Sequence, residues 1–269
     1  MLRKYIYKIF RFWMLLTAKF RKMPDFIIVG VQKGGTTSLY SYLKLHPQTK
    51  FFYNKEVHFF DKYFSKGWLW YRSWFPLKID KRISGEATPD YFYYPNVFKR
   101  MSTQLPRVKL IVLLRNPVDR AYSHFQMEKR KSRESLSFED AIIEEQKNMR
   151  NIYKKELNEE NKFANKYLLN KSYINKGLYK EQFEKLFEFY DKRQLLVIQS
   201  EEFKNNTDKV LYQVCDFLSI DRMSLPKEIK NKNVRKYPQI NKKTKDFLDN
   251  LYKKHNIDLY KLIDEQYDW

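Results

Sequence analysis

Lys33 lies in a run of small and hydroxylic residues, Gly30-Val31-Gln32-Lys33-Gly34-Gly35-Thr36-Thr37-Ser38. An ammonium, hydroxyls and unencumbered backbone N–H groups placed this close together suit phosphate chemistry, above all where a helix begins. The nucleoside-triphosphatase spacing G-x-x-x-x-G-K-[ST] is not met, because Gly30 and Gly35 have the right separation but Thr36 stands where the lysine belongs. A lysine moved into the loop still reaches a terminal or bridging oxygen, whereas the usual Mg²⁺ ligands are not assured. A tight Gly-Gly turn with no ligand is the plain alternative. A second pair is Arg115 and Ser123, a cation and a hydroxyl; alone, each also reads as surface decoration. A third set, Lys55-Glu56-Val57-His58-Phe59-Phe60-Asp61, puts a carboxylate between two basic groups in aromatic surroundings. Desolvation there would raise the Glu56 pKa toward neutrality and suit it to general-base work, with His58 second in line. A solvated Glu56 paired with Lys55, a packing role for His58 and a helix cap at Asp61 are the non-catalytic alternatives.

Strands and helices must bring these groups together. Phe26–Val29 and Lys109–Leu114 are apolar runs of the buried parallel type, and Ile83–Glu86 and Leu195–Gln199 are expected as further parallel strands. Leu39, Tyr40 and Leu43 recur at helical spacing after the glycine turn. Pro117 opens a second helix carrying Val118, Tyr122 and Phe125. Tyr179–Tyr190 is an amphipathic helix. The expected fold is α/β, a central parallel sheet flanked by helices, with ligands at the carboxyl edge of the strands. If Phe51–Phe52 and Glu56–Phe60 are extended, Glu56, His58 and Phe60 face one way and Val57 and Phe59 the other. The charge-dense stretch Met127–Asn175 is expected to form a pair of surface helices with a mobile connection around Asn151–Lys166, or else a lid.

The chain has 269 residues, 43% of them apolar, with no Pro/Gly/Ser-rich linker, so one domain over residues 24–269 is expected. Residues 1–23 precede it as a basic amphipathic segment. That segment lacks the ~20 apolar residues of a spanning helix, and it is expected either to touch an anionic membrane face peripherally or to pack as an ordinary first helix. The single cysteine, Cys215, excludes an intramolecular disulfide and a Cys-based metal site, and it is expected to be an inert buried residue on a helix. A reducing cytoplasmic compartment fits, with contact at the inner membrane face. The four histidines show no metal-ligand spacing. A formal charge of +21 predicts a field that attracts polyanions. Nucleic acid is not the expected partner, since no RNA-binding signature accompanies the aromatics.

Taken together, the two phosphate-type segments resemble the sulfotransferase family, which uses 3′-phosphoadenosine 5′-phosphosulfate. Gly30–Ser38 is similar to its 5′-phosphosulfate loop, and Arg115-Asn116-Pro117-Val118-Asp119-Arg120-Ala121-Tyr122-Ser123 to its 3′-phosphate motif. Lys55–Asp61, followed by Trp70-Tyr71 and Trp74-Phe75-Pro76, is similar to the heparan sulfate sulfotransferases, and Gly85–Tyr91 and Tyr173…Gly177-Leu178-Tyr179 resemble members of the carbohydrate branch. Asn233–Pro238 resembles the loop that closes over the donor's phosphates, with Arg235 at its key position. The resemblance implies a P-loop-like three-layer fold, a donor held by Lys33, Gly34, Gly35, Thr36, Thr37, Arg115, Ser123 and Arg235, no metal, and a carbohydrate or glycolipid acceptor. It implies Glu56 as base, His58 as alternate base and Lys33 at the leaving phosphate. The chain departs from the branch at Val234, where glycine is usual, at Ala87, where several members have a substrate-contacting lysine, and in lacking a cysteine-stapled hairpin. A bacterial-type member is expected. A small-molecule or lipid sulfotransferase, a nucleotide kinase and a non-catalytic RNA-binding protein are the remaining readings.

Overall fold

A computed structural model describes residues 2–51, 55–155, 170–225 and 237–269. Five strands, β1 (Phe26–Gly30), β2 (Thr49–Lys50), β3 (Ile83–Ala87), β4 (Lys109–Leu114) and β5 (Leu195–Gln199), form one parallel sheet in the order β2-β3-β1-β4-β5. Parallel neighbours need crossovers, and helices supply them. The described helices are α1 (Leu2–Leu16), α2 (Thr36–Leu43), α3 (Gly67–Arg72), α4 (Val97–Ser102), α5 (Pro117–Arg130) and α6 (Phe138–Lys155). They continue with α7 (Tyr179–Phe187), α8 (Ser200–Asn205), α9 (Thr207–Leu218) and α10 (Lys242–Ile263).

Alternation along the central strands sends side chains to both faces, and both are covered. Phe26, Ile28, Ile111 and Leu113 pack with Leu39 and Leu43 of α2 and with Val210 and Val214 of α9. Ile27, Val29, Leu110 and Val112 pack with Phe98 and Met101 of α4 and with Phe183 and Leu186 of α7. The result is the expected three-layer arrangement. Because the strands run parallel, the segments after β1, β3, β4 and β5 all leave at one edge.

α6 is a surface helix with one face in the core: Asp140, Ile143, Gln146 and Lys147 are exposed, while Phe138, Ala141 and Ile142 are buried with Val118, Ala121 and Phe125 of α5. Its Glu145, fully buried, accepts from the Ile174 and Asn175 backbone N–H groups at 2.6 and 3.0 Å. The connection expected around Asn151–Lys166 lies mostly outside the described residues. The extended conformation expected for residues 56–60 is corrected. Glu56 and His58 have left-handed φ values of 69° and 54°, and Phe59 and Phe60 are both fully buried. Two consecutive phenyl rings packed against Tyr71, with Trp68 and Tyr91 alongside, cannot be satisfied by a two-faced strand, so the backbone turns. Cys215 is buried on α9, as expected.

Candidate active site

The loop between β1 and α2 is shaped by close approach. A Cβ on Gly34 would stand 2.3 Å from Leu113 O, so only glycine lets the loop lie against β4. Gly35 caps α2 with φ 97°. The Gly34 N–H donates to Val31 O at 2.9 Å, and the bonds onto Gly35 O begin at Ser38 and Leu39. Gly34 is thus a shape residue, and the N–H groups of Gly35, Thr36 and Thr37 precede the first intrahelical bonds. Gln32 accepts from the buried Lys176 Nζ at 3.2 Å, which also pairs with Asp90 at 2.8 Å.

Arg115 follows β4 directly. Asn116 caps α5 by accepting from the Val118 and Asp119 N–H groups, with Pro117 at the first helical position. The Arg115 guanidinium reaches the loop, donating from Nη1 to Lys33 O at 3.4 Å. Ser123 lies further along α5, nearly buried.

Glu56 is anchored at the end of β3, its N–H donating to Ala87 O at 2.9 Å. Lys55 Nζ meets Glu56 Oε1 at 2.9 Å, and His58 Nε2 lies 3.6 Å from Oε2. His58 Nδ1 sits 2.7 Å from the buried Asp61 carboxylate. Asp61 is therefore the partner of His58, not a helix cap. The expected upward shift of Glu56 is overturned. Burial does push its pKa up, but the His58 hydrogen bond, the Lys55 charge and the Lys55 hydrogen bond outweigh it and hold it at about 2. Burial lowers His58, yet bonds to Asp61 and Glu56 raise it to about 9, with Lys62 opposing weakly. His58 is thus a cation at neutral pH, which argues against its expected role as alternate base. His58, Asp61 and Asp90 bring ligand-type atoms within 4.8 Å of one another. The cations those two carboxylates hold are this chain's own, His58 and Lys176.

One cleft of about 570 Å³ collects Lys33, Gly34, Gly35, Thr36, Thr37, Glu56, Arg115 and Ser123 in its lining. His58 stands behind Glu56. Arg235 lies outside the described residues, although Tyr237, just after it, lines the cleft. Sequence reading missed the wall made by Ser200, Glu201, Phe203 and Lys204. The Ser200 hydroxyl donates to Gly34 O, and Glu201 accepts from the Asn116 N–H at 3.1 Å. The signal was available, since these residues directly follow the β5 run and so occupy the same sheet edge. The Gln32–Lys176–Asp90 chain, which joins distant segments, gave none.

Comparison with known proteins agrees with this geometry. A family model described as a sulfotransferase domain matches residues 23–259. Membrane-associated sulfotransferase kil1 of Dictyostelium discoideum is 29% identical over 314 residues, covering 92% of this chain and 66% of that protein. Heparan sulfate glucosamine 3-O-sulfotransferase 3A1 of Homo sapiens is 27% identical over 279 residues, covering 95% of this chain and 64% of that protein. The chain therefore spans just under two thirds of the length of these relatives. A crystal structure of a sulfotransferase from Alicyclobacillus acidocaldarius is similar with a TM-score of 0.72 and 26% identity, covering 91% of this chain and 98% of that one. With a family match over most of its length and a phosphate-type loop and a strand-end arginine lining one cleft, the chain belongs to the sulfotransferase family.

Proposed function

We propose that this protein transfers a sulfuryl group from 3′-phosphoadenosine 5′-phosphosulfate to a hydroxyl or amine of a carbohydrate acceptor. The observation that carries this reading is the convergence of Lys33, Arg115, Ser123 and Glu56 on one cleft. The loop from Gly35 to Thr37, with the α2 dipole, receives the 5′-phosphate, and Arg115 with Ser123 receives the 3′-phosphate. In-line attack forms the bond from acceptor oxygen to sulfur as the bond from sulfur to the bridging oxygen breaks. Glu56 takes the acceptor proton, and the leaving phosphate keeps the electron pair, stabilised by the Lys33 ammonium. Nothing in these steps is assigned to a metal. The carbohydrate class is favoured by the names of the heparan sulfate relatives and by the basic residues Lys55, Arg130, Lys131 and Lys204 at the cleft.

Binding of 3′-phosphoadenosine 5′-phosphate, compared with ADP plus Mg²⁺, tests the donor site by thermal shift. Preferential stabilisation by the first is expected, and preference for ADP would favour the nucleotide-kinase reading instead. Arg115→Ala should weaken binding of the first by about tenfold or more, the loss of one charge-assisted contact. An unchanged dissociation constant would refute the 3′-phosphate assignment.

A further inference from the structure

Helix α1 rests on the domain through Arg11 and Met14 and turns an apolar stripe outward. On the inner edge Met14 is fully buried, and the Arg11 guanidinium stacks over the Trp74 ring at 3.7 Å while donating to Ser73 Oγ at 3.1 Å. Arg21, fully buried, continues the attachment by donating to Thr17 Oγ1 at 2.9 Å and Phe75 O at 2.7 Å. Away from that edge, Ile6, Ile9, Phe12, Trp13 and Leu16 are 57, 69, 63, 44 and 64% exposed. Phe20, 68% exposed, prolongs the stripe, and the Lys78 N–H donating to Phe20 O at 2.9 Å brings the loop of the exposed Ile79 beside it. An amphipathic helix ordinarily spends its apolar face on the core. A contiguous exposed patch of this kind marks an interaction surface.

Charge selects the occupant. Residues 1–24 contain no acidic residue, and besides Arg11 and Arg21, which hold the segment to the domain, they carry Arg3, Lys4, Lys8, Lys19 and Lys22. A second copy laid on the stripe would set these cations against their duplicates, whereas an anionic bilayer offsets them by about 1 kcal/mol for each cation near its surface. Among the described residues, no helix is long and apolar enough to cross a membrane. We propose that α1, with Phe20, lies in the plane of an anionic lipid surface, its stripe at the acyl boundary and its cations among the head groups.

Co-sedimentation of the full chain with vesicles tests this. Binding to phosphatidylglycerol-rich vesicles and little to pure phosphatidylcholine is expected. The triple variant Ile9→Ser/Phe12→Ser/Leu16→Ser should lose at least about tenfold in partitioning, since each apolar side chain withdrawn from water is worth roughly that much. Its binding of 3′-phosphoadenosine 5′-phosphate should be unchanged. If that variant does not fold, Lys8→Glu/Lys19→Glu replaces it and should lose the preference for anionic vesicles. No sedimentation with anionic vesicles, or full retention by the folded variants, would overturn the proposal. So would a dimer in light scattering that the triple variant dissolves, which would assign the stripe to a second copy.

Discussion

At the scale of single residues, the site depends on how Glu56 is charged and held. A pKa of about 2 leaves it a carboxylate at neutral pH, so in the proposed reaction its service as base would rest on placement and on the acceptor displacing Lys55 from Oε1. Glu56→Gln keeps the shape and removes the proton acceptor. Turnover should fall by roughly a hundred- to ten-thousandfold, with donor-product binding retained in calorimetry; loss of binding would remove Glu56 from that role. His58 carries a separate expectation. Its pKa is raised in the folded state to about 9 from an ordinary value of 6.5, so its contribution is fully present below about pH 6.5 and is lost as pH rises through about 9. Glu56 is the opposite case, its contribution present above its ordinary value of 4.5 and lost as pH falls through about 2. Thermal melts should therefore show stability declining by a few degrees between about pH 6.5 and 9, and His58→Gln should flatten that decline. Equal slopes in both proteins would show that His58 is not the titrating group.

At the scale of elements, the turn over residues 56–60 hangs on a buried polar frame. The Phe59 N–H donates to Tyr91 Oη at 2.8 Å, and Tyr91 is coupled to the fully buried Glu86, which also accepts from the Tyr71 hydroxyl and from Thr88 Oγ1 at 2.9 Å. Burial pushes the Glu86 carboxyl up to about 7 against the pull of those hydroxyls. Tyr91→Phe leaves the Phe59 N–H without its acceptor, a loss of about 1–3 kcal/mol, or several degrees in melting temperature. It should also lower kcat more than it weakens donor-product binding, because the phosphate loop is built on other residues. Equal losses in both would mean that the frame supports the whole sheet edge and not the turn. The parts of this layout that could be read in advance obey local rules. β1, β4 and β5 are apolar runs, and Asn116-Pro117 and Gly35 announce helix starts, whereas β3, with Ser84, Gly85 and Glu86 in its middle, carries no such run. The two-residue β2 carries no pattern. The left-handed Glu56 and His58 could not be foreseen, since no glycine marks them and their conformation follows from burying Phe59 and Phe60 together. The sign of the Glu56 shift is not legible in the sequence, which displays the aromatic neighbours but not the distances to Lys55 and His58 that decide it.

At the scale of the whole molecule, the positive balance acts as a field. The chain carries 53 Lys and Arg against 32 Asp and Glu. Much of it is spread over the surface, but Lys55, Arg130, Lys131 and Lys204 stand at the cleft, where low-dielectric walls focus field lines. The donor is itself an anion, so salt would weaken its capture whatever the acceptor. Holding the donor at saturation removes that contribution and leaves the acceptor as the variable. Under those conditions, kcat/KM for a sulfated polysaccharide should fall by about tenfold or more as ionic strength rises from low to about 1 M, where the Debye length shrinks to roughly 3 Å. For an uncharged phenol it should change by no more than about twofold, since no net charge is steered. A parallel fall for both acceptors would place the salt effect in the protein itself. A flat profile for the polysaccharide, with efficient turnover of the phenol, would turn the reading toward a small-molecule sulfotransferase, because an acceptor cleft selected for polyanions cannot be indifferent to screening.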